Sequence, residues 1–138
     1  MVGMNCSRGP DTILPIVKEI REAVAGHVAA LPVAYRTTPA EPTFQALRDH
    51  GQRAFPIGLD PFQTTRFDVS DFAVQARDMG VRFIGICCGG APHHVRAMAE
   101  ALGREVPASR YSADMSLHPA LGTNVPEPEK AFLEDWKD

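Results

Sequence analysis

The sequence predicts an α/β chain of about three parallel βα units, a part of a (β/α)8 TIM barrel and not a whole one. Short apolar runs alternate along the chain with helical periodicities, and that alternation argues for parallel βα units. The chain has 138 residues, whereas a complete barrel takes about 250. Three parallel strands standing alone would leave two edges and one face uncovered. The cysteines fall at the C-terminal ends of the first and last strands, the end of a barrel where chemistry sits.

Val2 to Asn5 is a short apolar run, and Ser7-Arg8-Gly9-Pro10 is a turn. A helix is expected from about Asp11 to Ala25, because Ile13, Ile16, Val17, Ile20 and Val24 share one face. Gly26 ends it. Val28 to Ala34 reads as a buried strand, followed by a loop rich in Pro and Thr from Tyr35 to Pro42. A short helix is expected over Thr43 to His50, and a weak strand over Phe55 to Leu59 before the Asp60-Pro61 turn. Ser70 reads as the N-cap of a helix that turns Phe72, Ala76 and Met79 inward and stops at Gly80. Val81 to Ile86 is the strongest strand. Pro92 opens a further helix with Val95, Met98, Ala99 and Leu102 on one face. From Val106 the chain is Pro-rich and irregular, with a short terminal helix expected over Lys130 to Lys137.

Hydrophobic residues make up 44% of the chain, enough for a core, and the net charge is −3 with both signs interspersed. No basic stripe with interleaved aromatics suggests nucleic acid. No run of about 18 apolar residues suggests a membrane span, and no secretory leader pattern is visible. With an odd cysteine count and no export signal, the expected compartment is the cytoplasm.

Cys6 follows Val2-Gly3-Met4-Asn5, and the adjacent pair Cys87-Cys88 follows Val81-Arg82-Phe83-Ile84-Gly85-Ile86. A lone cysteine often fills a core. The pair changes the balance. Successive strand residues point to opposite faces, but at a strand end the backbone turns, and Gly89-Gly90 supplies freedom for both sulfurs to converge. Three thiolates at strand ends can hold one zinc ion with its fourth position open, the mark of a catalytic rather than a structural site. His93 and His94 are adjacent in a helix and do not share a face, which favours a solvated or capping role over metal ligation. Tyr35 and Asp60 fall near the same rim, with packing as their expected role.

Gly3-Met4-Asn5-Cys6 and Gly85-Ile86-Cys87-Cys88-Gly89, followed by Pro92-His93-His94-Val95-Arg96-Ala97-Met98-Ala99, resemble the zinc-dependent homocysteine S-methyltransferase family. The separation of positions 6 and 87 fits the family's arrangement. Leu31-Pro32-Val33-Ala34-Tyr35-Arg36-Thr37, Phe55-Pro56-Ile57-Gly58-Leu59-Asp60-Pro61 and Thr65-Arg66-Phe67-Asp68 look like its betaine-homocysteine S-methyltransferase branch. The resemblance runs to about residue 118 and matches only the last three βα units, the C-terminal portion of the family barrel. It implies that residues 1–138 are the C-terminal part of a homocysteine-binding domain, with 106–138 an irregular extension within it. Ile86 departs from the family's second glycine, and the five preceding strands are absent.

The resemblance further implies zinc (Zn2+) as cofactor, held by Cys6, Cys87 and Cys88. Homocysteine and a quaternary-ammonium methyl donor such as betaine are the implied partners, and methionine the implied product. Backbone N–H groups at Gly89 and Gly90 are candidates to receive the substrate carboxylate, against an ordinary glycine turn as the alternative. Asn5 is a candidate to orient Cys6. Catalysis by the chain alone is not expected, because the missing strands carry the donor-binding walls. A homo-oligomer or a companion chain would have to supply them. The competing reading is a non-enzymatic zinc-binding or assembly module derived from the same family.

Overall fold

The first apolar run forms strand β1 (Val2–Asn5) of a computed structural model that describes residues 1–118, 122 and 123. The chain divides into two units, Met1–Val106 and Pro107–Asp138. In the first, helix α1 (Pro10–Ala23) follows β1, with Pro10 at its start, where a missing N–H costs nothing. Pro15 lies inside α1 on its exposed side. Ile13 and Val17 are fully buried and Ile20 and Val24 partly so, the face that the apolar spacing predicts. The helix ends two residues before the expected Ala25. There Arg21 reaches past the last turn and donates to the carbonyls of Val24 and Gly26, both at 2.6 Å, satisfying acceptors that the helix end leaves open.

Strand β2 (Val28–Leu31) pairs in parallel with β1 in the register Val2 to Val28 and Asn5 to Leu31. It is shorter than the predicted Val28–Ala34, because the chain turns at Pro32, which has no N–H for a ladder. The segment Thr43 to His50 is not a helix. Phe44 and Leu47 are buried at a spacing of three, which mimics a helical face, but they sit on a turn that leads into a hairpin of β3 (Arg48–Asp49) and β4 (Gln52–Arg53). His50 and Gly51 both have positive φ, 46° and 80°, the geometry of a tight hairpin turn. Phe55 to Leu59 is a turn, not a strand.

Helix α2 (Arg66–Asp78) begins before the expected Ser70. Thr65 is the cap: its side chain accepts from Asp68 N–H at 3.2 Å, and Asp68 accepts from Thr65 N–H at 2.7 Å. This reciprocal pair satisfies two of the donors every helix start leaves open. Ser70 instead donates to the Ala97 carbonyl at 3.2 Å and ties α2 to helix α3 (Pro92–Ala101). Between them runs β5 (Phe83–Ile84), the core of the predicted Val81–Ile86 strand, parallel to β2. Met98 is buried as expected and Leu102 packs against the core, but Val95 is largely exposed, and α3 buries His94 and Ala97 in its place.

The sheet order is β1-β2-β5, so the strands lie side by side in chain order. All three helices cover one face, where Val28, Ala30, Ile13, Val17, Phe72, Ala76 and Met98 form the main core. Among the described residues nothing covers the other face, on which Phe83 is half exposed. The sheet is thus a parallel α/β layer, and no closed barrel is present among the described residues. A second cluster of Val33, Phe44, Leu47, Ala54 and Leu59 lies beyond the C-terminal ends of the strands, with Cys6, Tyr35 and Phe62 against it.

In the second unit the described residues form two single turns, Pro107–Tyr111 and Met115–Leu117. Asp114 caps the latter, accepting from Ser116 N–H at 3.0 Å. The helix expected over Lys130 to Lys137 lies outside the described residues. No helix of the described residues is long and apolar enough to cross a membrane.

Candidate metal centre

Two strand ends bring three sulfurs together. β1 runs into Cys6, whose N–H still follows the ladder and donates to Leu31 O at 2.9 Å. Cys6 and Ser7 then adopt φ of 71° and 65°, a left-handed bend that non-glycine residues adopt at a cost of about 1–2 kcal/mol each. From the other side, Cys87 N–H donates to Pro32 O at 2.7 Å, and the Cys88 carbonyl accepts from Ala34 N–H at 2.8 Å. Both cysteine turns are therefore anchored to the stretch that follows β2.

The sulfurs of Cys6, Cys87 and Cys88 all lie within 4.8 Å of one another. Cys6 Sγ stands 3.5 Å from Cys88 Sγ, and Cys87 Sγ 3.9 Å from Cys88 Sγ. Ligands at 2.3 Å in a tetrahedron stand about 3.8 Å apart, so these two separations bracket the zinc–thiolate value. Cys6 and Cys87 are half-buried and Cys88 is exposed, which leaves the cluster open on one side. The donor set therefore fits a borderline-soft divalent ion with one open position.

The thiols share their protons unequally. Burial opposes ionisation of Cys6, but hydrogen bonds from the Ser7 backbone and from the Cys88 and Cys87 thiols outweigh it and lower its pKa. Cys88 moves the other way: as hydrogen-bond partner to Cys6 and then to Cys87, with some burial, it is pushed up to about 11.

The remaining predicted residues are placed less evenly. Gly89 has φ 78°, and its N–H has no hydrogen-bond partner among the described residues. The N–H of Gly90 is committed to the Cys87 carbonyl at 2.9 Å, so the candidate carboxylate site loses one of its two glycine donors. Asn5 pairs with Leu31 at the end of β1. It alternates with Met4, which packs toward the helices, so it points to the uncovered face and makes no hydrogen bond to Cys6. The side chain of Ile86 packs on the main core, and its Cγ2 would stand 2.6 Å from a Cβ on Gly90. It fills space on the helix side and does not narrow the approach to the sulfurs.

His94 is buried and caps its own helix: Nδ1 accepts from Ala91 N–H and Nε2 donates to Thr64 O, each at 3.1 Å. That pattern fixes the neutral Nε2–H tautomer. His93 lies at the exposed start of α3, its pKa lowered by partial burial and by the charges of Arg96 and Arg66. Neither histidine joins the sulfur cluster. Asp60 is exposed on a short turn, where its carbonyl accepts from Gln63 N–H. Tyr35 lies against Gly89, next to Cys88, and stacks on Phe44. Phe44 carried no recognisable signal in the sequence, since its contact depends on the fold of the 43–62 excursion.

A family profile described as homocysteine S-methyltransferase matches residues 1–102. A betaine–homocysteine S-methyltransferase 1 from Bos taurus is 40% identical over 110 residues, which cover 76% of this chain and 26% of that protein. The Pongo abelii protein of the same name is 37% identical over the same shares. An S-methylmethionine–homocysteine S-methyltransferase from Pongo abelii is 35% identical over 116 residues, 76% of this chain and 29% of that protein. The chain spans little more than a quarter of the length of these relatives.

Proposed function

We infer the function from one premise: this chain belongs to the homocysteine S-methyltransferase family. We propose that it is the zinc-bearing portion of an enzyme that transfers a methyl group from betaine, or a similar onium donor, to homocysteine to give methionine. The observation that carries this reading is the convergence of the three thiols within 4.8 Å. Cys6, Cys87 and Cys88 would hold the ion. Bound there, zinc would keep a substrate thiol ionised at neutral pH, where a free thiol with pKa about 8.5 is mostly protonated.

The chain's own residues would do the rest by placement. The Gly89 N–H, at the turn before α3, would meet the substrate carboxylate. In the reaction the sulfur–methyl bond forms as the donor's nitrogen–methyl bond breaks, and the nitrogen keeps the electron pair and leaves as a neutral amine. The relatives named for betaine and for S-methylmethionine leave a sulfonium donor as the direct competitor in the assay.

The side-by-side strand order supports an arc of a parallel barrel, in which each unit adds to the same side of the last. The open edges of β1 and β5 and the uncovered face are where the remaining strands would close it. We therefore assign the active form to a structure in which those strands are supplied, by a second copy, a companion chain or further sequence of the same protein. The free thiols suit a reducing compartment, the cytoplasm. The test is methionine formation from homocysteine with betaine or S-methylmethionine, using the 138-residue chain alone and with a matching N-terminal portion added. Turnover only with the added portion is expected. Turnover by the chain alone would refute the incomplete-site reading, and none under either condition would favour a non-enzymatic metal module.

A further inference from the structure

Cys6 sits on a left-handed bend past β1. Backbone bonds continue through the cysteines: Cys6 N–H donates to Leu31 O, Cys87 N–H to Pro32 O, and Ala34 N–H to the Cys88 carbonyl. They tie each turn to the stretch after β2, and a side-chain contact between the two turns adds to them in setting the observed 3.5 Å sulfur separation. An aromatic pair spans them from the outside. Phe44 donates its N–H to the Ser7 carbonyl at 2.9 Å, one residue from Cys6. Tyr35 rests its phenol end on Gly89, one residue from Cys88: a Cβ there would stand 2.7 Å from Cζ and 2.8 Å from Cε2 and Oη. The two rings stack on each other, centroids 5.7 Å apart and planes 15° from parallel.

Both rings are themselves held. Tyr35 forms an antiparallel bridge with Gln63, and its neighbours Ala34 and Arg36 exchange backbone hydrogen bonds with Thr64 and Phe62. Phe44 is buried in the second cluster and meets Phe55 edge-on at 5.4 Å. Cys6 packs on that same cluster. The hairpin excursion therefore carries a rigid wedge to the mouth of the site.

We propose that the Tyr35–Phe44 stack is a clamp that sets the spacing between the Cys6 turn and the Cys87–Cys88 turn, which makes both aromatics positioning residues of the three-thiol centre. The inference rests on the metal reading of that centre. It also explains why position 89 holds glycine: φ is positive there and the Tyr35 ring occupies the space a side chain would need.

The test uses the full chain, zinc affinity from competition with a chromophoric chelator, and the visible spectrum of the cobalt(II)-loaded protein, which reports sulfur geometry. Tyr35→Phe keeps the ring and is expected to keep wild-type affinity and spectrum. Tyr35→Ala is expected to weaken zinc by about 10–100-fold, the usual cost of losing a partner that orients a ligand, and to change the cobalt bands. Phe44→Leu supplies the same test if Tyr35→Ala does not fold. Gly89→Ala is expected to cost much less affinity in a Tyr35→Ala background than in the wild type, because the clash is gone. Wild-type affinity and spectrum in Tyr35→Ala, or in Phe44→Leu where that variant stands in for it, would overturn the clamp. So would additive effects of the Gly89 and Tyr35 substitutions. A wild-type chain that binds neither metal would overturn the metal reading, and the clamp with it.

Discussion

Zinc affinity should rise steeply with pH across the neutral range. The perturbation is proton concentration, and its leverage comes from the unequal thiols. The Cys88 thiol, drawn into hydrogen bonds with Cys6 and Cys87, has its pKa pushed up to about 11, so between pH 6 and 8 it is protonated. A metal-bound cysteine is a thiolate. Binding must therefore expel at least the Cys88 proton, and each proton expelled raises affinity about tenfold per pH unit. Cys6 has its pKa lowered by the Ser7 backbone and the neighbouring thiols against the pull of burial. The assay is zinc competition with a chelator of known pH behaviour, at constant ionic strength, in steps of half a pH unit. A slope of about one log unit or more per pH unit is expected. A flat profile would show that the cluster is already ionised, and that sulfur-to-sulfur hydrogen bonds do not hold the Cys88 proton.

His94→Ala removes one buried and one partly buried hydrogen bond and leaves a cavity, so urea unfolding should show a loss of about 3 kcal/mol; His94→Asn keeps an acceptor for Ala91 N–H and should lose less. Thr65→Ala should cost about 1 kcal/mol through the cap of α2. Burial opposes ionisation of Asp68, but hydrogen bonds from Thr65 and the Arg36 guanidinium lower its pKa below the usual carboxylate range. Its stabilising effect is therefore present above the unfolded-state pKa of about 3.9 and is lost as pH falls through the lower folded value. The urea midpoints of wild type and Asp68→Asn should differ at pH 6 and draw together in strong acid.

Much of the layer was legible because its signals are local. The apolar spacing of Ile13, Val17 and Ile20 marks α1, Pro92 marks the start of α3, and Val28 marks the start of β2. The errors have physical reasons. Phe44 and Leu47 are spaced like a helix face, but the Asp49-His50-Gly51 turn decides the local structure, and its two positive φ values fold a hairpin. Thr65 with Asp68 three residues on is a capping box that outranks Ser70 as a helix start. The capping bonds of His94 rotate α3 so that an imidazole is buried where Val95 was expected. At the site, the meeting of Cys6 with Cys87 and Cys88 was readable from their places at parallel strand ends. The commitment of the Gly90 N–H, the outward turn of Asn5 and the Tyr35–Phe44 stack were not, because each depends on contacts between distant segments.

Metal stoichiometry tests the central claim most directly. The full chain, folded and dialysed against buffered zinc under reducing conditions, should carry one zinc per chain by elemental analysis. Cys6→Ala, Cys87→Ala and Cys88→Ala should each lose most of it while retaining helical circular dichroism. Unchanged stoichiometry in any one of the three would contradict a centre built on all three thiols.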